Sequence, residues 1–294
     1  MPIVVRCETN MFRLLPLYPR SILVNLTNCV GAMGAGLALE FKNRYPGNFD
    51  TYHMAHLNDE LAIGKLVLHQ ETDDLLIVNM PTKRHWIDAS QLPDVILGLE
   101  ALREVILQHP HHQVLSACPG TGLGGLMIKV VYPELVRILN DLPNVIHICM
   151  APEKMKRRPR YLSIIGPRDF DDEKYIELAI MDATASWGTG IKDFDGFITS
   201  DDRCVDTIGA RMAKLFGLRT CVVRADWEHY PETAGILRNP IIADVATHVL
   251  AFTNAKSIGT EHIISLVKKW NANPNSPYQK QLVVDDITSR MKVL

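Results

Sequence analysis

The segment "VNLTNCVGAMGAGLALEFKNRYP", Val24–Pro46, places a glycine-rich loop between a short apolar run and an amphipathic stretch. The run "ILVNLTN" reads as a strand, and Leu37, Leu39, Phe41 and Tyr45 mark the helix that follows. Between them "GAMGAG" supplies Gly31, Gly34 and Gly36. Glycines at a strand-to-helix turn permit positive φ and let backbone N–H groups approach a ligand closely. The spacing is not the dinucleotide fingerprint GxGxxG, and no ribose-binding acid follows about 20 residues on. A tight turn and a phosphate or ribose loop are both compatible with this one segment.

A second loop narrows the choice. "SACPGTGLGGL", Ser116–Leu126, also follows an apolar strand and precedes a helix. Two such loops after two parallel strands would flank one crevice at the carboxyl ends of a sheet. Around them, "KLVLHQ", "LLIVNMP" and "NVIHICM" read as further strands, and "LPDVILGLEALREVILQ" and "YPELVRILNDL" as helices. A second alternating set begins at "RYLSIIGPRDF" and runs through "GFITS", "RTCVVRADW" and "THVLAFTN". The fold class expected is therefore α/β, as two three-layer domains with mainly parallel sheets. The expected boundaries are 1–152 and 161–294, joined by a basic linker at 153–160. That linker lies in "APEKMKRRPR", where Lys154, Lys156, Arg157, Arg158 and Arg160 form either a solvated run or a phosphate-contacting strip.

Bulk composition removes several function classes. With 294 residues, 47% hydrophobic and 22% charged, the chain can bury two cores. A formal charge of −2 excludes a wholly electrostatic nucleic-acid binder. No apolar run nears the roughly 20 residues a membrane helix needs, and the N-terminus shows no signal-peptide pattern. The six cysteines never form CxxC, which suits reduced thiols and a cytoplasmic location. No metal site is expected: "HPHH" at His109–His112 reads as a surface turn, and Cys29 as a small buried residue.

The Val24–Pro46 stretch, "IGKL", "NMPTKRHW" and "GTGLGGL" together resemble the macrodomains, and among them the DarG-type and terminal ADP-ribose hydrolase class, over roughly residues 1–150. The resemblance implies an ADP-ribose pocket. Asn28 would lie at the distal ribose, lined by Gly34 and Gly36, with Thr82 beside it. Thr121, Gly122, Leu123 and Gly124 would wrap the diphosphate, and Asn10 and Met11 would stand near the base. Lys83 would attack the anomeric carbon of the distal ribose. A lysine does this only when neutral, so its pKa would have to fall from about 10.4 through burial or a neighbouring cation such as Arg84. The chain departs from some relatives in having no acidic residue between Pro119 and Tyr132.

The second half resembles the SLOG superfamily, in its YspA-like branch, from Arg160 to about Trp270, on "IIGPRDF", "ADWEHYPETAGILRN" and "SIGT". That implies a Rossmann-like sheet binding a nucleotide or NAD-derived molecule through Gly166, Arg168, Asp169, Trp227, Arg238, Asn239, Gly259 and Thr260, with Asp206 and Gly235 at matching positions. "TSDD" and "FTNAKS" stand where paired glycines are usual. Ile263 stands where the glycosidic-bond-cleaving members carry a glutamate, so this domain is expected to bind and not to cleave. The function expected is removal of ADP-ribose from a modified macromolecule, DNA thymidine before protein, with a nucleotide-sensing second domain and no required cofactor. The alternative is a sensor or sponge for ADP-ribose or cyclic ADP-ribose-type signals in defence or counter-defence. A homo-oligomer is left open.

Overall fold

The computed structural model describes residues 3–6, 10–150 and 157–289, which pack into two compact units, Pro2–Arg158 and Pro159–Leu294. In the first unit the chain runs β1 (Ile3–Arg6), β2 (Ser21–Asn28), α1 (Gly36–Arg44), α2 (Pro46–Leu57), β3 (Val67–Thr72), β4 (Leu75–Lys83), α3 (Leu92–Leu107), β5 (Gln113–Ala117), α4 (Ile128–Leu139) and β6 (Ile146–Cys149). These strands form one sheet in the order β1-β6-β5-β2-β4-β3. Neighbours are parallel except β3, which pairs antiparallel with β4 at the edge. The central strands are covered on both faces, so β2 and β4 are buried almost throughout, whereas the edge strand β3 is largely exposed. The helix α3 shows the complementary pattern: Val95, Leu99, Leu102 and Ile106 recur at helical spacing and are buried.

Three asparagines sit at the heart of this apolar layer. Asn25 and Asn79 are register partners on β2 and β4, and Asn48 enters from α2; all three are fully buried. Asn79 Oδ1 accepts from Asn25 Nδ2 at 2.8 Å and from Asn48 Nδ2 at 3.2 Å. Its own Nδ2 donates to Asn48 Oδ1 at 2.7 Å and to the Val67 carbonyl on β3 at 3.2 Å. Asn25 Nδ2 also faces the sulfur of Met33, in the first glycine loop. One amide cluster thus fixes β2, β3, β4, α2 and that loop together.

Two residues further on, the sheet breaks register. Thr27 pairs with Pro81 but Asn28 with Lys83, so Thr82 is the extra residue of a bulge. Pro81 has no N–H to give to a ladder, and a bulge is the usual place for such a residue in a buried strand. Thr82 is held by its hydroxyl on the Thr27 carbonyl, and the Cys29 amide donates to the Lys83 and Arg84 carbonyls.

The second unit runs β7 (Tyr161–Ile165), α5 (Glu173–Ser186), β8 (Gly196–Ser200), α6 (Val205–Leu215), β9 (Thr220–Val223), α7 (Ala234–Val245), β10 (His248–Thr253), α8 (Ile258–Ala272) and β11 (Gln281–Asp286). Its sheet is wholly parallel, ordered β11-β10-β7-β8-β9, so the winding direction reverses between β7 and β10. The strand β11 is not evident in the sequence. It is fixed by Lys280, buried with its Nζ on the Asp244 and Ala246 carbonyls at the end of α7 and over the Trp270 ring. No helix among the described residues is long and apolar enough to cross a membrane.

The asparagine cluster predicts that Asn79→Ala strands two buried amide donors. Hydrogen exchange of the β2 amides should report a loss of about 3 kcal/mol in opening free energy. A change below about 1 kcal/mol would show that the cluster is dispensable.

Candidate functional site

In the first unit the carboxyl ends of β5, β2 and β4 lie side by side and open into a cavity of about 640 Å³. Asn28, Gly34, Gly36, Thr82, Lys83, Thr121, Gly122, Leu123 and Gly124 all line it, so both glycine loops and the end of β4 face one space. The residues missed by sequence reasoning are chiefly Trp86, Cys118, Cys149 and Ile128. Trp86 was within reach, since a tryptophan three residues after the candidate lysine had no helical or strand period to explain it.

Asn10 and Met11 are not brought to this cavity. Met11 is buried in the core, and Asn10 accepts from the Phe12 amide at 3.0 Å and donates to Glu40 at 2.8 Å. The segment is a short 3₁₀ turn whose side chains tie the loop to α1. Of the basic run, Lys154 and Lys156 lie outside the described residues, while Arg157, Arg158 and Arg160 are exposed.

Asn28 shapes the first loop from within. Its Oδ1 accepts from the amides of Val30 and Ala32, and its Nδ2 donates to the Ala32 carbonyl at 2.6 Å. Tyr52, fully buried on α2, donates to the Asn28 carbonyl at 2.5 Å, and burial pushes its phenol up to about 12. Tyr52 therefore stays a neutral donor at any physiological pH. Two glycines of the loop serve different ends. Gly31 has φ +69°, and a Cβ there would fall 2.7 Å from the His56 ring. Gly34 has no such constraint and nothing within 4 Å of a Cβ, so its open side faces the cavity.

Lys83 is placed beside Asn28 by the bulge. Its Nζ lies 3.1 Å from the Leu123 carbonyl, 3.1 Å from that of Asp88 and 3.3 Å from that of Trp86. Three acceptors occupy all three N–H bonds of an ammonium. Nucleophilic attack needs a lone pair on Nζ, so at least one of these carbonyls must be released first. Arg84, the cation next in sequence, turns to Asp94 at 3.0 Å. Burial raises the Cys29 thiol, an effect that Arg84 only partly offsets, so Cys29 is not held as a thiolate.

No protein-family model matches the chain. Among curated proteins it is similar to the DNA ADP-ribosyl glycohydrolase of Mycobacterium tuberculosis, 40% identical over 134 residues, which are 44% of this chain and 38% of that one. The enzyme of the same name from Thermus aquaticus is 32% identical over 130 residues, 43% of this chain and 36% of the relative. The chain thus spans less than two fifths of the length of these relatives. Among solved structures, the macrodomain of Mycobacterium tuberculosis DarG is 35% identical, covering 51% of this chain and 97% of that one with a TM-score of 0.46. Thermosipho africanus DarTG in complex with ADP-ribose is 27% identical over 54% of this chain and 43% of that one, with a TM-score of 0.47.

The first unit belongs to the DarG-type macrodomains. The 40% identity over 134 residues carries that assignment. The relatives match about half of the chain, and the DarG-type motifs all fall in the first unit, so the second unit stands on its own geometry.

That geometry is a cavity of about 460 Å³ at the switch between β7 and β10, where a doubly wound sheet opens a crevice. Gly166, Arg168, Asp169, Trp227, Arg238, Asn239, Gly259 and Thr260 all line it, as do Asp206 and Gly235. So do Ser200, Asp202, Asn254, Lys256 and Ser257, from the segments that replace paired glycines. The guanidinium of Arg238, 4% exposed, bonds to Asp201 at 2.7 Å and Asp202 at 2.8 Å. Arg168 bonds the other oxygen of Asp202 at 2.6 Å. Burial pushes Asp202 up, but the two arginines outweigh it and hold the carboxyl below its ordinary value. No side chain caps the first turn of α8, and Ile263 is buried against the cavity.

Asp206 is the most deeply held acid. It accepts from the Gly166 amide at 3.1 Å, from Ser200 N at 3.2 Å and from the Thr199 and Ser200 hydroxyls. Burial, reinforced by nearby Asp202, nevertheless pushes its carboxyl up to about 6.

Two outcomes are expected from this geometry. Gly31→Ala should destabilise by about 2 kcal/mol in urea unfolding, through strain and the His56 clash, whereas Gly34→Ala should stay within about 0.5 kcal/mol of wild type. Equal losses would remove the distinction drawn between them. For Asp206 the folded value exceeds the unfolded 3.8, so the folded state holds a proton that the unfolded chain has lost. Its contribution is full below about pH 4 and is lost as pH rises to about 6, on the order of 3 kcal/mol in total. Hydrogen exchange of the β7 and β8 amides should show this slope in wild type and not in Asp206→Asn.

Proposed function

We propose that the macrodomain hydrolyses ADP-ribose from a modified macromolecule, with ADP-ribosylated DNA as the favoured substrate and ADP-ribosylated protein second. The observation that supports this most is the convergence of Lys83, Asn28 and both glycine loops on one cavity, in a domain 40% identical to a DNA ADP-ribosyl glycohydrolase. Its volume lies within the usual range for small-molecule sites. In this reading the second loop receives the diphosphate on its backbone amides, and the distal ribose lies between Gly34, Asn28 and Lys83.

Entry of the ribose displaces one of the three carbonyls around Lys83, and the proton lost leaves a lone pair on Nζ. That pair forms a bond to the anomeric carbon as the bond to the acceptor breaks. The acceptor keeps the bonding electrons and takes up the proton that Nζ lost, and the ribose ring opens to leave an imine between Nζ and that carbon. Water then attacks the same carbon, releasing ADP-ribose and restoring the lysine. The second unit, read as SLOG-like, binds an NAD-derived nucleotide: its phosphate lies at the uncapped start of α8, near Gly259 and Thr260, and Arg168, Arg238 and Asn239 position the rest. The burial of Ile263 at the cavity favours binding over cleavage there.

A second reading has its own support. The three carbonyls that saturate Lys83 and the absence of an acid between Pro119 and Tyr132 suit a sensor or sponge that captures ADP-ribose or a cyclic relative without turnover. Release of free ADP-ribose from a thymidine-linked oligonucleotide and from a modified protein separates the two. The hydrolase reading expects wild-type release to fall at least a hundredfold in Lys83→Ala with ADP-ribose affinity held within about fivefold. Tight binding with no release by wild type would establish the sponge.

A further inference from the structure

Trp86 is 58% exposed and lines the macrodomain cavity, and Leu123 is 73% exposed on the opposite loop. Both backbones converge on one atom, since Lys83 Nζ bonds to the carbonyl of each. Ile87 and Met127, next along the same two segments, are also exposed. Leu123 reaches back over the first loop, where a Cβ on Gly36 would meet its Cδ1 at 3.1 Å. Four exposed large apolar side chains therefore belong to the two segments that hold the candidate nucleophile. Two of them, Trp86 and Leu123, line the same cavity, and an exposed apolar pair at a cavity marks a binding surface more often than chance exposure.

The position of this rim decides what can occupy it. With the distal ribose inside the cavity and Nζ at its anomeric carbon, the acceptor lies across that carbon from Nζ and outside the interior, where the exposed side chain of Trp86 at the edge of the cavity is long enough to meet it. A carboxylate or hydroxyl acceptor on a protein side chain has no aromatic face to offer Trp86. A nucleobase has one, and indole–base stacking is tolerant of base identity. Arg84, between Lys83 and Trp86 in the chain, leaves 72% of its side chain exposed even while one nitrogen reaches Asp94. That suits a flanking phosphate.

Resting on the hydrolase reading above, we propose that Trp86, opposed by Leu123, is a specificity-determining residue that stacks the modified nucleobase and so selects ADP-ribosylated DNA over ADP-ribosylated protein. Loss of one base–aromatic stack corresponds to about five- to 150-fold in affinity.

The test compares full-length wild type, Trp86→Ala and Trp86→Phe. It measures kcat/KM on a thymidine-linked ADP-ribosyl oligonucleotide and on an ADP-ribosylated protein, with calorimetric affinity for free ADP-ribose alongside. Trp86→Ala should lose at least tenfold more on the oligonucleotide than on the protein, and Trp86→Phe should recover most of that difference. Equal losses on both substrates, or a parallel fall in ADP-ribose affinity, would overturn the proposal and make Trp86 a wall of the ADP-ribose cavity. A wild type that binds ADP-ribose but releases it from neither substrate would sink hydrolysis alone. The same tenfold difference would then be read in affinity for the intact oligonucleotide over free ADP-ribose, and its absence there would sink the stacking role. A wild type that binds no ADP-ribose overturns both.

Discussion

Register between two buried parallel strands is set by where their side chains must point, and a single extra residue re-aims everything after it. In this macrodomain β2 and β4 are locked in register by the Asn25–Asn79 pair and slip by one residue at Thr27 and Pro81. The slip is what brings Lys83 level with Asn28. Were the ladder to continue unbroken, Asn28 would face Thr82 and the lysine would stand one residue further along. The candidate chemistry therefore depends on a proline that cannot donate and on an amide cluster that prevents the strands from sliding to absorb the change.

The same constraint explains the way Lys83 is held. An ammonium beside a sheet end must find acceptors, and carbonyls from the β4–α3 connection and from the second glycine loop provide them. Through Lys83 these bonds tie the two walls of the cavity together. In the second unit a comparable economy is reached with charge. Asp202 sits between Arg168 and Arg238, whereas Asp206 is surrounded by hydrogen-bond donors from Gly166, Thr199 and Ser200 and burial raises its carboxyl to about 6. Both crevices lie at the carboxyl ends of parallel strands, where loops can vary without disturbing a ladder.

Much of this was legible in the residues. The two glycine loops, the alternation of strand and helix, and the lysine in "NMPTKRHW" are local patterns, and the structure places them as neighbours because adjacent parallel strands deliver their carboxyl ends to one side. The eight residues singled out in the second unit share a cavity for the same reason. What could not be read is non-local. The family resemblance points Asn10 and Met11 toward a ligand, but their side chains hold the core and α1. The strand β11 pairs through a buried lysine whose partners lie more than thirty residues away. The bulge at Thr82 carries no sequence signature beyond Pro81, and the ion pairs that occupy Arg238 join residues 36 and 37 positions apart.

The central claim is that Lys83 forms a bond to the distal ribose. It is tested most directly by quenching turnover of a thymidine-linked ADP-ribosyl oligonucleotide with cyanoborohydride and mapping the digested chain by mass spectrometry. A reduced ADP-ribosyl adduct on the peptide containing Lys83, absent without substrate, is the result this account predicts. Free ADP-ribose released with Lys83 left unmodified, under conditions that trap a control lysine imine, would contradict it.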